Sequence, residues 1–374
     1  MLKIGVIGIG NAGNQIADGI KGDYPDVEAI AVNSSHTDTS SLRYIPNIII
    51  GDEKGAGKDR AVAKEFMRKE YKYLISQSLF TDVIEQSDII FLPAGTGGGT
   101  GSGQSPVLTD ILRHKYPTKI FINVGITPAL KESVAAQQNT LDYMSELVGF
   151  NATYMLYDNN TRSDLVTSSM LTSVNKAIIE DIITLRGEYQ YITPYTSIDD
   201  KDSLKIVNTP GRLLVSRTEG FNEKDLDEKS IEERLLSDLS ENAHAEIDRD
   251  RIIKRMGIIT NLNTKINETF DNNIPKFKDM VGEPIEGFEH VSINASDEGT
   301  NRVIVILSGL SVPDDRLQKI VQRIESAKED LTRTKSSEIL QNKNTDFVNE
   351  LRGTNKPETD GDDIDEDDIF NRYM

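Results

Sequence analysis

One stretch decides the fold of this chain: the ten residues AGTGGGTGSG at positions 94–103. It follows a short apolar run at residues 88–92 and precedes apolar residues at helical spacing that begin at Val107. Glycine lacks a Cβ atom, so such a turn lets backbone N–H groups approach a ligand closely. A helix that begins directly behind the turn adds the positive end of its dipole. The sequence therefore predicts a phosphate-binding turn between a strand and a helix, in preference to a flexible linker.

The residues after this turn distinguish it from the common P-loop. That motif needs Lys and then Ser or Thr after its last glycine, and Gln104 stands there instead. The string GGGTGSG resembles the signature of the tubulin and FtsZ superfamily of GTPases. The resemblance implies that seven residues of the turn bind the phosphates of GTP: Thr96, Gly97, Gly98, Gly99, Thr100, Gly101 and Ser102.

The composition restricts the classes of protein to which this chain can belong. The 374 residues are 37% hydrophobic and 28% charged, as in a globular chain of roughly two domains. We expect neither a signal peptide nor a membrane span, because no apolar stretch approaches the ~18 residues that a span needs. The chain contains no cysteine, and we expect it in the cytoplasm. Its net charge of −19 makes direct DNA binding unexpected, so a link to DNA would require a basic partner.

The alternation of apolar runs and helical patterns predicts an α/β fold. Over residues 1–160 it indicates a doubly wound parallel sheet, which is the expected GTP-binding domain. The expected units that follow are a central helix at 161–186, a second, smaller α/β domain at 187–327, a C-terminal helix at 328–352 and a disordered acidic tail at 353–374. Within the second domain, the capping-box pattern SIEE at residues 230–233 predicts the start of a helix.

A second glycine motif lies near the N-terminus. Residues 8–13 read GIGNAG and fit GxGxxG, which alone weakly suggests a dinucleotide-binding enzyme. Such an enzyme needs an acid at the end of the second strand, and Asn33 stands there, which disfavours hydride transfer. The superfamily resemblance instead implies a loop around the nucleotide phosphates, although Ile9 replaces a glycine found in many relatives. The residues implied as contacts are Gly10, Asn11, Ala12, Gly13, Asn14 and Asn33.

Further contacts are implied residue by residue. Gly57 and Lys58 resemble the loop near the γ-phosphate, although GAGK is also a common surface turn. Glu132 matches a ribose-contacting carboxylate of the family, whereas Ala136 stands where the family has an arginine. The amides that would read the purine base are Asn159 and, inside the long helix, Asn175.

The nucleotide loops contain no general base. The four histidines have no metal-like spacing, so we expect no protein metal ligands and Mg²⁺ only on the GTP phosphates. Asp199 and Asp202, at i, i+3 spacing, resemble the acids of the family's hydrolysis-promoting loop. The long helix would hold this loop about 35 Å from the phosphates of its own chain, beyond catalytic reach. We therefore expect these acids to act on the GTP of the next subunit in a head-to-tail filament; a helix cap with acids in its first turn is the alternative.

Among superfamily groups, the long acidic insertion and the extended C-terminal helix look most like TubZ, which moves plasmid or phage DNA. The resemblance implies a basic DNA-binding adaptor that contacts the C-terminal helix or the tail. Two alternatives stay open at this point: a divergent FtsZ-like division protein, and a structural polymer that does not hydrolyse GTP.

Overall fold

The computed structural model describes residues 2–162, 166–187, 200–221, 228–241, 243–248, 251–294 and 301–335. Strands and helices alternate through the first part of the chain. They are β1 Ile4–Ile9, α1 Gly10–Asp23, β2 Glu28–Asn33, α2 His36–Thr39, β3 Asn47–Ile49, α3 Arg60–Leu74, α4 Ser78–Glu85, β4 Ile89–Gly95, α5 Gly99–Lys115, β5 Ile120–Thr127, α6 Val134–Gly149 and β6 Thr153–Asp158.

The second part begins with a 3₁₀ turn at Asn159–Arg162, directly after β6. Its elements are α7 Thr167–Gly187, α8 Asp200–Val207, β7 Gly211–Glu219, α9 Glu228–Glu241, β8 Arg255–Leu262, α10 Thr264–Val281, β9 Gly287–Asn294, β10 Arg302–Leu310 and α11 Asp314–Lys335.

All ten strands join one sheet in the order β3-β2-β1-β4-β5-β6-β7-β10-β8-β9. The strands from β3 to β7 run parallel, and β10 is antiparallel to both of its neighbours. Parallel strands are covered on both faces, which explains why β1 and β6 are buried along their whole length. The order changes direction at β1, with β2 on one side and β4 on the other, and open α/β sheets bind ligands at such a point.

Helices cover both faces of the parallel part. On one face α1 and α7 pack through Ile16, Ile20, Ile178 and Ile182. On the other face α3, α4 and α5 pack together, and Met67 lies in that second core. Strands β7, β8 and β10 share a further core with α9 and α10. The predicted α/β architecture, with a parallel nucleotide-type sheet and a long helix, is confirmed.

The structure differs from the expectation in three places. The helix predicted from residue 161 begins as α7 at Thr167, after the 3₁₀ turn. The capping-box prediction was wrong: α9 begins at Glu228, and residues 230–233 lie inside it. Helix α10 was not predicted; it contains Pro275, a residue that disfavours a helix interior, but its stripe of Ile266, Phe270 and Phe277 is buried in the core.

The expected domain boundaries stay predictions, and most of the expected C-terminal helix and all of the tail lie outside the described residues. Within the described part of the chain, no helix has the length and apolar character needed to cross a bilayer.

Candidate nucleotide-binding site

The two glycine turns, at residues 8–13 and 94–103, lie side by side at the carboxyl ends of β1 and β4. Helix α1 begins at Gly10, whose φ of +70° lies in the left-handed region that favours glycine. A Cβ atom on Gly10 would lie 2.9 Å from the backbone nitrogen of Gly101. One on Gly13 would lie 1.9 Å from the carbonyl oxygen of Pro93. Glycine is required at both positions because two backbone segments touch there.

A cleft of about 410 Å³ opens where the two turns meet. Of the residues implied by sequence, nine line it: Gly10, Asn11, Ala12, Gly57, Lys58, Gly98, Gly99, Thr100 and Gly101. Helices α1 and α5 both begin at this cleft, and neither has a side-chain cap among the described residues. Their first N–H groups are therefore available to an anion, and both helix dipoles favour negative charge here.

A third turn, residues 55–58, forms the outer wall of the cleft. Gly55, Gly57 and Lys58 all have positive φ, which is unusual for a lysine. Three further lining residues were missed by sequence reasoning: Ser35, Asp38 and Lys54. Ser35 and Asp38 follow β2, and Lys54 precedes the turn. None of the three belongs to a local sequence motif, so only the folding of the chain brings them to the cleft. Together with the third turn, these residues bring two lysines, Lys54 and Lys58, and one carboxylate, that of Asp38, to the cleft.

The side-chain amide of Asn139, on α6, braces this wall. Its Nδ2 lies 3.0 Å from the carbonyl oxygen of Lys58, 3.1 Å from that of Gly97 and 3.4 Å from that of Gly98. Asn139 is buried, at 8% exposure. It therefore ties residues 55–58 to the second glycine turn. The available sequence signal was weak: a polar residue between the buried residues Ala136 and Tyr143 of one helix.

Two implied contacts, Asn14 and Asn33, lie behind the first glycine turn and are fully buried. In the amide orientation that satisfies its neighbours, Asn14 Nδ2 donates to the carbonyl oxygen of Gly8 at 2.8 Å, and its Oδ1 accepts from Asn33 Nδ2 at 2.9 Å. Asn33 Oδ1 accepts from the backbone N–H of Ser34 at 2.8 Å. Here these amides hold the turn in shape, and direct contact with a nucleotide stays a prediction.

The hydroxyl groups of the second turn have separate surroundings. Thr96 is buried, and its Oγ1 donates to the carbonyl oxygen of Ile126 at 3.1 Å. Ser102 is also buried and bonds back to the carbonyl oxygen of Gly98. Thr100 alone of the three lines the cleft, and its Oγ1 lies 2.6 Å from Ser34 Oγ.

Gly97 faces the residue that departs from the family pattern. A Cβ atom on Gly97 would lie 3.0 Å from the Cβ of Ala136, which is buried on α6. The small side chain at position 136 therefore lets the helix pack directly against the second glycine turn.

Of the implied ribose and base residues, Glu132 and Asn159 follow β5 and β6, whereas Asn175 lies within α7. Glu132 is exposed, and its Oε1 accepts from the backbone N–H of Ala129 at 2.9 Å, so it caps its own turn. Asn159 follows β6 directly and is 7% exposed. Its Oδ1 is buried and has no hydrogen-bond partner among the described residues. Asn175 is half-buried on α7. A buried, unpartnered amide oxygen is costly unless a ligand satisfies it.

Comparison with known proteins identifies a family model that matches the part of the chain containing this cleft. Residues 3–167 match the tubulin/FtsZ family, GTPase domain. The chain carries a tubulin/FtsZ GTPase domain. All three glycine-containing turns, Asn139 and Asn159 belong to that domain.

Relatives of the GTPase domain include tubulin-like proteins of archaea and phages. The tubulin-like protein CetZ of Pyrococcus horikoshii is 32% identical over 192 residues, which are 48% of this chain and 51% of CetZ. This chain thus spans about half the length of the first relatives that it matches. The tubulin-like protein TubZ of Clostridium botulinum C phage is 24% identical over 331 residues, 86% of this chain and 83% of TubZ. A GTPγS-form protofilament of Bacillus thuringiensis serovar israelensis TubZ has the same fold, with a TM-score of 0.74 at 16% identity over 90% of this chain and 94% of that one.

One of the implied catalytic acids, Asp202, lies at the other end of the sheet from the cleft of the GTPase domain. Asp199 lies outside the described residues. Asp202 belongs to α8, which ends at Val207 just before β7. Gly211 of β7 pairs in parallel with Thr153, the first residue of β6, so α8 lies at the amino end of these strands. The cleft lies at their carboxyl end.

No group of three or more histidine, aspartate or glutamate side chains in the described ranges is close enough to hold a metal ion. Asp38 and the Thr100 hydroxyl do line the cleft of the GTPase domain. They are oxygen ligands of the kind that Mg²⁺ accepts beside phosphates and water.

Proposed function

We propose that this chain binds and hydrolyses GTP and assembles head to tail into filaments in the cytoplasm. The observation that carries the proposal is the cleft where two glycine turns and two helix N-termini meet. Such a cleft suits a row of phosphates because backbone N–H groups and helix dipoles converge on it. The tubulin/FtsZ GTPase domain and the likeness to a GTPγS-form protofilament support guanine nucleotide and self-assembly.

In this proposal the triphosphate lies along the two glycine turns, with Lys58 and Lys54 adding positive charge. Glu132 would contact the ribose, and Asn159 and Asn175 would read the base. The unpartnered Oδ1 of Asn159 is an acceptor suited to the N–H groups of guanine. Mg²⁺, when bound to the phosphates, supplies charge neutralisation, and Asp38 with Thr100 would hold its water shell.

Hydrolysis in this proposal needs two subunits. A carboxylate acts within about 3 Å of its target or through one water. Asp202 lies at the amino end of the strands and the cleft at the carboxyl end, so one chain cannot bring them together. Stacking places Asp199 and Asp202 of one subunit against the GTP of the next, and such heterologous contacts continue as a filament.

A mixing experiment tests both parts of this proposal. Asp202→Ala retains the cleft but lacks an acid, whereas Asn159→Ala retains the acids but lacks a base contact. We expect each variant alone to release phosphate slowly and an equal mixture to recover part of the activity at mixed junctions. Glu180→Ala, an exposed residue of α7, is the control and should release phosphate at the normal rate. Co-pelleting of the two variants without recovery would overturn catalysis between subunits.

We further propose that the filament moves plasmid or phage DNA through a basic adaptor. Support comes from the phage TubZ relative, which aligns over 86% of this chain, and from the acidic C-terminal region. The adaptor, not the filament, would contact DNA, since residues 357–374 carry a net charge of −7. Labelled DNA should pellet with filaments only when a basic DNA-binding protein is added and residues 353–374 are present. Recruitment to membrane-anchor proteins instead would favour a division filament, and assembly without phosphate release would favour a structural polymer.

A further inference from the structure

A buried arginine from α11 reaches the ends of β5 and β6, next to the proposed base-reading residue Asn159. Arg316 is 2% exposed, although it lies 158 residues along the chain from its partner, Asp158. Its Nε donates to Asp158 Oδ2 at 2.5 Å, and its Nη2 donates to Asp158 Oδ1 at 3.0 Å. The same Nη2 donates to the carbonyl oxygen of Pro128 at 2.8 Å. One guanidinium therefore joins the ends of β5 and β6.

The Asp158 carboxylate is hydrogen-bonded to several surrounding segments. Its Oδ1 also accepts from Thr127 Oγ1 at 2.9 Å and from the backbone N–H of Asn160 at 2.9 Å. Asn159 lies between Asp158 and Asn160, so the backbone on both sides of the base-reading amide is fixed by this one carboxylate. The orientation of Asn159 thus depends on how Asp158 is held.

Helix α11 gives Arg316 a fixed starting point. The backbone N–H groups of Asp314 and Asp315 donate to the carboxylate of Asp248, at 2.8 and 3.3 Å. Leu317 packs on the core that α6 shares with β6. Arg316 therefore projects from an anchored first helical turn, and its forked donors fix the carboxylate in two directions at once.

Fold stability alone does not explain why Arg316 and Asp158 form a buried ion pair. Burying two charges costs so much desolvation that an apolar pair of similar volume is often equally stable. What a two-point ion pair adds is a defined orientation. We propose that Arg316 is a positioning residue that, through Asp158, orients Asn159 and so determines the preference for guanine over adenine nucleotides. This inference rests on the proposed function of the cleft.

The test compares the binding of GDP and ADP. Both nucleotides make the same phosphate contacts, so the ratio of their Kd values measures the preference for the base alone. We expect Arg316→Gln to reduce the GDP preference at least tenfold. Arg316→Lys retains the charge but not the fork, and we expect it to reduce the preference as well. Lys319→Ala is the matched control on the same helix, since Lys319 forms a half-exposed ion pair with Glu246. It should leave the ratio unchanged.

The double variant Arg316→Gln/Asp158→Asn covers the case in which a single variant does not fold, because it removes both charges and leaves no unpaired buried ion. A wild-type GDP-to-ADP ratio in Arg316→Lys, or in the double variant, would overturn the positioning role. A wild-type chain that shows no preference for GDP would instead overturn the proposed function itself. The two failures are thereby distinguished.

Discussion

Asn139 Nδ2 lies 3.0 Å from the carbonyl oxygen of Lys58, although 81 residues separate the two along the chain. This hydrogen bond closes the outer wall of the cleft onto the second glycine turn. In the proposed function this wall lies next to the third phosphate group of GTP, so the contact offers a specific test of that proposal.

Replacing Asn139 with Ala should loosen residues 55–58, because their tie to the second glycine turn is lost. Leaving buried carbonyl groups unsatisfied costs about 1–3 kcal/mol, and a loss of about 1.4 kcal/mol in binding would weaken GTP affinity roughly tenfold. GDP binding should change less, and amide hydrogen exchange at residues 55–58 should accelerate. Gln138→Ala, one position away and exposed, is the control. Equal losses of GTP and GDP affinity would contradict a role at the third phosphate.

The Thr100 hydroxyl is the second testable group. Thr100→Val retains the shape of the side chain but removes the oxygen that lies 2.6 Å from Ser34 Oγ. We expect phosphate release to slow by about tenfold or more, since one well-placed polar group at a reacting phosphate contributes that much. Thr100→Ser should retain most of the rate. Normal release by the valine variant, measured in pelleted filaments, would remove this hydroxyl from the site.

Substitutions at two glycines test fold stability and GTP binding separately. Gly13→Ala should destabilise the fold by about 1–3 kcal/mol or more, because its Cβ would overlap the Pro93 carbonyl oxygen. Gly98→Ala places its Cβ where no described atom lies within 4 Å, and Gly98 has an extended backbone that alanine tolerates. It should unfold at the normal temperature but bind GTP less tightly, since it adds a methyl group to the cleft. Thermal melts with and without GTP measure both effects.

The amide of Asn159 provides a fourth test, in which Asn160 is the matched residue. Asn159→Ala should leave the melting temperature of the ligand-free protein unchanged or higher, because it removes a buried oxygen with no described partner. GDP affinity should fall by about tenfold. Asn160→Ala is the neighbouring control: its Oδ1 accepts from the backbone N–H of Leu130 at 3.3 Å, so its loss should affect stability first. A stability loss in Asn159→Ala without weaker GDP binding would contradict base reading.

Sequence reasoning found the parts of this fold that are encoded locally. The parallel sheet was predicted because fully buried parallel strands such as β1 read as continuous apolar runs. The glycine turns were predicted because their backbone requires the residue type, as at Gly10 with its positive φ. The continuity of the sheet was not predicted, since the pairing of Thr153 with Gly211 leaves no local pattern.

The candidate site was predicted in the same uneven way. Residues that belong to a glycine motif were named, whereas Asn139 and Arg316 were missed because each acts on a segment far along the chain. Asp38 and Lys54 were missed for the same reason. Asn14 and Asn33 show a different limit. Both were named as nucleotide contacts from their positions in the sequence, but such a position does not reveal which groups an amide is hydrogen-bonded to.

The seam between β6 and β7 is held by two residue pairs, where the neighbouring seam between β5 and β6 has six. A rotation of the strands beyond this seam against the GTPase domain would break few backbone hydrogen bonds there. The connection across this seam therefore depends on side chains, among them the buried ion pair of Arg316 with Asp158, which joins α11 to the end of β6.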